Sequence, residues 1–174
     1  MSASGRQERA TLRAAQAGSA TALEVLYRDH WPRAYRAAYL VVHDAAGAED
    51  IAQEAFLAAV RALDRFDRRR PFGPWLHRIV VNRAIDWTRA RTLRAEVELP
   101  ESHAAPPDAP AELSALVAAL GELPLEQRGV IVLRHFLEYT PGEIAELLEL
   151  PRGTVNSRLR RGLDELARAL EEER

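Results

Sequence analysis

The sequence predicts an all-α protein in which two small helical domains are joined by an acidic, proline-rich linker. Apolar residues recur at steps of three and four over 50–66 and again over 75–91, which is the period of an amphipathic helix. Sustained alternation of apolar and polar residues is absent, as are Asn-Gly and Asp-Gly turns between apolar runs, so strands are not expected. Four prolines within 99–110 interrupt the helical period and mark the linker.

Composition excludes several classes of protein. The chain of 174 residues has no cysteine, which rules out a disulfide scaffold, a thiolate metal site and a cysteine nucleophile. No apolar run approaches the roughly 20 residues of a membrane span, and the first 19 residues lack the apolar core of a signal peptide. We therefore expect a cytoplasmic protein with no membrane insertion.

Charge is strongly segregated along the chain. The net charge of -2, taken alone, argues against a nucleic-acid-binding protein. However, 67–94 carries a net charge of +6 and 151–161 one of +4, whereas 95–126 between them carries -7. Two arginine-rich segments that flank an acidic one indicate two separate surfaces for anionic partners. All 24 basic residues are arginine, which suits forked contacts with phosphates and guanines, although a genomic composition bias would produce the same count.

These patterns divide the chain into four parts. Domains are expected at 20–94 and 113–174, with the linker at 95–112 and an N-terminal extension at 1–19. Each domain is large enough for a small core only. At roughly 3.3 Å per residue the linker spans on the order of 65 Å, so the domains can occupy sites about two turns of duplex DNA apart.

The helix expected over 50–66 has two different faces. Ile51 and Ala55 belong to its apolar face, which repeats at steps of three and four. Its second face carries three polar or acidic residues and one leucine: Asp50, Gln53, Glu54 and Leu57. Without further information this second face reads as an ordinary solvated surface.

An arginine-rich loop over 66–73 and a helix over 75–91 follow. Aromatic residues and arginines interleave there, a combination that is typical of surfaces holding the unstacked bases of single-stranded nucleic acid. Trp75 and Trp87 are instead expected to pack against the preceding helix. The candidate contacts are the loop residues and Asn82 for bases and two arginines of the helix for backbone: Phe66, Arg68, Arg69, Arg70, Phe72, Arg78, Asn82 and Arg83.

The C-terminal region predicts a helix-turn-helix. Thr140 and Glu143 have the spacing of a capping box, and the proline between them suits the first position of a helix. Pro151 ends this short helix, and a second one is expected from about residue 152 to residue 170. Five residues at helical spacing form its expected buried stripe: Val155, Leu159, Leu163, Leu166 and Leu170.

The start of this second helix carries side chains that can read DNA. Asn156, Ser157, Arg160 and Arg161 lie away from the buried stripe, and Arg158 flanks it. Arginine pairs with guanine and asparagine with adenine in the major groove, and a helix N-terminus attracts phosphate. An ordinary helical hairpin with a solvated charged face is the alternative, but four arginines without an acidic residue favour DNA binding.

Motifs in both halves resemble one known family. The second half resembles domain four of bacterial sigma factors through residues 123–128, Leu133-Arg134, Tyr139, 143–145 and 153–158. The first half resembles domain two through residues 48–56 and 74–82. A chain with only these two domains and a short linker resembles the extracytoplasmic-function (ECF) group, and the resemblance covers about 20–170.

This resemblance implies a non-enzymatic subunit that binds core RNA polymerase and directs it to promoter DNA. It places the β′ clamp helices on the face of Asp50, Gln53, Glu54 and Leu57, and it also implies contact with the β subunit. The candidate single-strand contacts would meet the minus-ten element. The minus-35 element would meet Arg152, Thr154, Asn156, Ser157, Arg158, Arg160 and Arg161.

The resemblance carries further expectations and two departures. It implies an anti-sigma factor as a partner, and it places the acidic linker near the RNA path of the polymerase, although a solvated tether is an equal alternative. Asn156 and Arg160 differ from the residues common in the group, so the promoter sequence is not implied.

Two other functions compete with the sigma-factor reading. A helix-turn-helix regulator that does not join the polymerase would need a sensor domain, and 1–95 contains no Gly-rich phosphate loop or strand-borne Asp cluster. An enzyme is disfavoured because the five histidines are scattered. No cofactor and no metal are expected.

Overall fold

The computed structural model describes residues 3–95 and 111–172, and every regular element in these ranges is helical. The α-helices are α1 (Ala3–Gln16), α2 (Ala20–Val42), α3 (Ala45–Ala62), α4 (Phe72–Ala95), α5 (Ala111–Glu122), α6 (Leu125–Ile131), α7 (Pro141–Leu148) and α8 (Arg152–Glu172). A 3-10 turn over Leu63–Arg65 follows α3, and a π-helical turn over Val132–Phe136 follows α6. The predicted all-α class is confirmed. None of the helices in the described ranges is long and apolar enough to cross a membrane.

Side-chain caps fix where several helices begin. The Ser19 hydroxyl accepts a hydrogen bond from the Ala22 amide at the start of α2, and Asp44 does the same for Gly47 at the start of α3. At α7, Thr140 and Glu143 form the predicted capping box, in which each side chain bonds the other residue's backbone amide. These short-range bonds satisfy amides that have no partner inside a helix.

Helices α1 to α4 form a first helical group with an alanine-rich core. The buried alanines of α2 and α3 allow these two helices to approach closely: Ala34, Ala37, Ala38, Ala48, Ala52, Ala55 and Ala59. Trp87 of α4 packs over Gly47, where an added Cβ would lie 2.6 Å from the indole. The N-terminal extension belongs to this group as well, because Leu12 and Ala15 of α1 are buried in the same core.

Helices α5 to α8 form a second helical group in which α6 packs against α8. The buried stripe of α8 is Val155, Leu159, Gly162 and Leu166. The prediction that Leu163 is buried is wrong, because 43% of it is exposed. Gly162 lies directly against Ile131, where an added Cβ would be 2.6 Å from its Cδ1, so the line of closest contact passes through Gly162.

The two helical groups pack against each other. Buried side chains of both groups form one continuous cluster, and α2 and α4 contact α5, α6 and α7. Of the predicted linker at 95–112, residues 96–110 lie outside the described residues; α4 ends at Ala95 and α5 begins at Ala111.

Candidate polymerase and nucleic-acid interfaces

The predicted polymerase-binding residues share the solvent-facing side of α3. Asp50, Gln53 and Glu54 are exposed, and 48% of Leu57 is exposed although it is apolar. Val60 and Tyr27 beside it are also large and exposed, at 43% and 42%. An apolar patch with an acidic border suits a basic partner that also brings an apolar contact.

One ion pair joins this face to α4. Arg83 donates to the Glu54 carboxylate over 2.8 Å, so a predicted backbone-contacting arginine is bonded to a predicted polymerase-binding acid. Both side chains are more than one-third exposed, and a pair of this kind contributes about 1 kcal/mol or less to stability. Arg83 can therefore exchange this partner for a phosphate at small cost.

The loop over 66–71 presents arginines outward and aromatic rings inward. Arg68, Arg69 and Arg70 are exposed. Phe66 and Phe72 are only 8% and 2% exposed, and their rings contact each other edge-on at 6.0 Å. Burial of both rings argues against the prediction that they stack on promoter bases. They instead anchor the two ends of the loop. Burying an aromatic side chain of this size in the core is more stabilising than leaving it exposed for a base.

Trp75 and Trp87 pack as the sequence predicts. The Trp75 ring lies 4.5 Å from that of Phe66, and Trp87 covers Gly47 of α3. Protein therefore covers part of each indole, and both rings are half-buried.

Within the loop, Asp67 holds Arg69 in a two-pronged ion pair. Arg69 Nε lies 3.0 Å from Oδ1 and its Nη2 lies 3.1 Å from Oδ2. Hydrogen bonds from Arg69 lower the pKa of the Asp67 carboxyl. Both groups lie at the surface, so the pair orients Arg69 without closing it off from a phosphate.

The remaining candidates of α4 lie along the contact with the second helical group. Arg78 is exposed and donates to Glu149, which lies just before α8, over 2.5 Å. Asn82 is half-buried one turn further along α4. The two predicted DNA-contacting regions, at the start of α4 and the start of α8, are therefore neighbours in this structure.

The predicted reading residues lie on the first three turns of α8. Arg152, Asn156, Arg160 and Arg161 are exposed, whereas Thr154, Ser157 and Arg158 are half-buried. Arg161 donates to the Ser157 hydroxyl over 2.6 Å, which orders two neighbours on this surface. A helix N-terminus surrounded by arginines attracts phosphate and leaves forked donors for base edges.

Sequence reasoning missed the buried polar contacts between the two helical groups. Arg128 of α6 is 8% exposed and donates to the carbonyl oxygens of Val41, Gly121 and Leu123. Desolvation lowers the pKa of its guanidinium. One feature of the sequence indicates this buried charge. Arg128 is directly followed by an apolar stretch over 129–133, so a charged residue belongs to a helix that is expected to be buried.

Two histidines complete this contact. His43 Nε2 lies 2.8 Å from the carbonyl oxygen of Val117, and His77 Nδ1 lies 3.0 Å from the Tyr139 hydroxyl. Burial lowers the pKa of His77 to about 4 and raises that of Tyr139. His77 Nε2 has no hydrogen-bond partner among the described residues, which also favours the neutral ring.

In the part of the chain that the structure describes, no group of three or more histidines and carboxylates is arranged to hold a metal ion. The surfaces described above are exposed and rich in arginine or carboxylates.

Comparison with known proteins finds two matching segments in this chain. The family model for Sigma-70 region 2 matches residues 26–94, and that for Sigma-70, region 4 matches residues 113–166. The ECF RNA polymerase sigma factor SigW of Bacillus subtilis is 35% identical over 162 residues, which cover 83% of this chain and 85% of SigW. SigM of Mycobacterium tuberculosis is 35% identical over 173 residues, or 95% of this chain and 87% of SigM.

Two solved structures that resemble this chain are each a complex with another protein. CnrH, solved in complex with the cytosolic domain of CnrY, is 29% identical with a TM-score of 0.71, over 96% of this chain and 99% of CnrH. The sigma factor RpoE of Bartonella quintana, solved with the anti-sigma factor NepR, is 21% identical with a TM-score of 0.74. The match covers 87% of this chain and 98% of RpoE, and it shows a shared fold. By family models, relatives and fold, this chain belongs to the ECF RNA polymerase sigma factors of the sigma-70 family, the alternative sigma factors that direct transcription initiation.

Proposed function

We propose a division of labour within this sigma factor. Residues 20–94 bind the β′ clamp helices and capture the minus-ten element, and residues 113–174 bind the β subunit and read the minus-35 element. One observation carries the proposal: the acidic, Leu57-centred face lies on α3 of the first helical group, whereas exposed arginines cluster at the start of α8 in the second. A basic protein and a DNA duplex can therefore be bound by different surfaces of one chain.

The minus-ten contacts we propose are narrower than the sequence predicts. Arg68, Arg69 and Arg70 are exposed on a loop whose ends are fixed, and Arg78, Asn82 and Arg83 follow on α4. The phosphate backbone of an opened strand suits the arginines, and the half-buried amide of Asn82 suits a base edge. Phe66 and Phe72 serve this surface by packing beneath it.

The packed arrangement of the two helical groups must open on a promoter. Arg78 is bonded to Glu149, so the two DNA-contacting surfaces adjoin here. The two promoter elements that the family reads lie about two turns of duplex apart, on the order of 70 Å. We infer that the acidic linker lets the groups separate when the chain joins the polymerase, so that each reaches its own element.

A proteinaceous inhibitor is a further part of the proposal. CnrH and RpoE are each solved with a bound partner, which for RpoE is an anti-sigma factor. We propose that an anti-sigma factor binds this chain in the cytoplasm, where it would compete with the polymerase.

Reconstitution with core polymerase tests the proposed function. The purified chain is mixed with bacterial core RNA polymerase and genomic DNA, and transcript 5′ ends are mapped with and without the chain. New discrete start sites, together with co-elution of chain and core enzyme, are expected. Binding to duplex DNA without binding to core polymerase would instead support the regulator that acts alone.

A further inference from the structure

Gln16, the last residue of α1, bonds the start of the arginine-rich loop. Its Nε2 lies 2.9 Å from the carbonyl oxygen of Leu63 and 2.9 Å from that of Phe66. A glutamine amide has two N–H groups, so both donors are used on these two carbonyls. The two carbonyls bracket the 3-10 turn that leads into the loop.

The same side chain also meets one of the loop arginines. Arg68 Nη1 donates to Gln16 Oε1 over 3.3 Å, and Arg9 of α1 reaches the carbonyl oxygen of Arg69 at 3.5 Å. Within the loop, Arg70 donates its amide to the Asp67 carbonyl. Helix α1 therefore contacts both the start of the loop and its arginines.

Helix α1 is itself firmly attached to the first helical group. Leu12 is fully buried and Ala15 is 5% exposed, both on the side that faces the core. The apolar burial of Leu12 holds this end of the helix in place. Gln16 thus presents its amide from a fixed support.

Three consecutive arginines make this loop costly to order. Like charges at adjacent positions repel, and each free arginine loses side-chain entropy when it is fixed on DNA. A loop whose backbone is already held loses less freedom on binding, and this preorganisation strengthens binding. Gln16 holds the backbone on the side where the three arginines begin.

We propose that Gln16 is a positioning residue for promoter opening: its amide fixes the loop over 66–71 so that Arg68, Arg69 and Arg70 are ready for the separated minus-ten strand. This inference rests on the proposed minus-ten role of the loop. It also gives the N-terminal helix a function, because α1 contacts the loop through Arg9 and Gln16.

Two variants and one matched control test this role. Gln16→Ala removes the amide, and Gln16→Glu keeps its size and its acceptor for Arg68 but cannot donate to the two carbonyls. Gln7→Ala changes an exposed glutamine of the same helix. Each chain is assembled with core polymerase and bound to two forms of a mapped promoter, one fully duplex and one with a preformed bubble over the minus-ten element.

The expected result is weaker binding to the bubble, in which the separated strand is already exposed to the loop. Both Gln16 variants should bind the bubble about threefold to tenfold more weakly, because the loop loses the two donated hydrogen bonds that order it before binding, with core-polymerase affinity unchanged. Hydrogen exchange over 63–70 should rise in both variants, whereas exchange over 45–60 and 152–172 stays constant and shows that the fold is intact. Gln7→Ala should match the original chain.

Different failures point to different errors. Unchanged bubble binding or unchanged exchange over 63–70 in both Gln16 variants would overturn the positioning role. A loss for Gln16→Ala that Gln16→Glu does not share would also overturn it, because the donated hydrogen bonds are absent from both. If the original chain itself binds the bubble no better than the duplex, the proposed minus-ten function of the loop is wrong.

Discussion

Arg128 of the second helical group donates from Nη1 to the carbonyl oxygen of Val41 in the first, over 2.6 Å. The same guanidinium bonds the carbonyls of Gly121 and Leu123 and lies 3.4 Å from His43 Nδ1. One buried arginine therefore ties the end of α2 to the turn between α5 and α6. Removing a buried charge leaves several carbonyls without this donor, which costs more than the loss of a surface contact.

Arg128→Met should lower the free energy of unfolding by about 2–4 kcal/mol, because the methionine fills the space but donates no hydrogen bond. Urea denaturation followed by circular dichroism measures this change. Arg168→Ala is the control, since Arg168 is exposed on the last turns of α8 and should change stability by less than about 0.5 kcal/mol. Equal effects of the two substitutions would show that Arg128 does not join the helical groups.

The stability of the protein should fall as the pH falls from about 6.5 to about 4. His77 has a folded-state pKa of about 4, below its ordinary 6.5, because it is buried and lies near Arg33 and His30. The unfolded chain therefore binds a proton in this window and the folded chain does not, at a cost of up to about 3 kcal/mol. Burial also lowers the pKa of His30, which acts in the same direction.

His77→Asn separates the His77 contribution from the rest. Asparagine retains an acceptor for the Tyr139 hydroxyl but does not titrate. The difference in unfolding free energy between pH 7 and pH 5 should be smaller in this variant. An unchanged difference would assign the pH dependence to other groups.

Two glycine substitutions should have opposite effects on stability. Gly47→Ala would place a methyl group 2.6 Å from the rigid indole of Trp87, so we expect a loss of about 1–3 kcal/mol. Gly153→Ala meets no atom within 4 Å at the start of α8, and it should gain up to about 1 kcal/mol of helix stability. Thermal unfolding of both variants checks the pair. A stabilising Gly47→Ala would mean that α3 and α4 do not approach as closely as described.

Leu57→Arg should weaken binding to core polymerase by about tenfold or more without lowering the thermal midpoint. Leu57 is 48% exposed, so its substitution leaves the core intact, while an apolar contact at the centre of an interface is worth about 1–2 kcal/mol or more. Leu93→Arg is the matched control, because Leu93 is 71% exposed near the end of α4 and does not belong to the α3 face. Fluorescence anisotropy of labelled chain with core enzyme measures the affinity. Similar losses for both variants would show that α3 is not the docking surface.

The sequence predicts what depends on local chemistry. The capping box of Thr140 and Glu143 and the inward packing of Trp87 follow from neighbouring residues, and the structure confirms them. The sequence wrongly predicts that Leu163 is buried, because spacing alone does not show that Gly162 makes the closest contact. A phenylalanine ring suits both stacking on a base and packing in the core. Only the fold shows that Phe66 and Phe72 are buried in the core.

The contacts of Arg128 and Gln16 with distant backbone carbonyls could not be predicted. Arg128 bonds Val41, which lies 87 positions away in the sequence, and Gln16 bonds Phe66, which lies 50 positions away. Neither partner is a side chain of opposite charge; both are backbone carbonyls, which every residue has and which therefore leave no mark on the sequence. The role of α1 and the packing of the two groups became visible only in three dimensions.

The central claim is tested most directly by transcription from two promoters, one with an intact and one with a scrambled minus-35 element. Each promoter is transcribed by a holoenzyme that contains either the original chain or Arg160→Ala. The original chain should prefer the intact promoter by about tenfold or more, and Arg160→Ala should lose about 1–3 kcal/mol of that preference while transcribing the scrambled promoter equally well. Two results would contradict the claim that this chain reads promoters through α8. One is an original chain that transcribes both promoters alike; the other is an Arg160→Ala variant that weakens both equally.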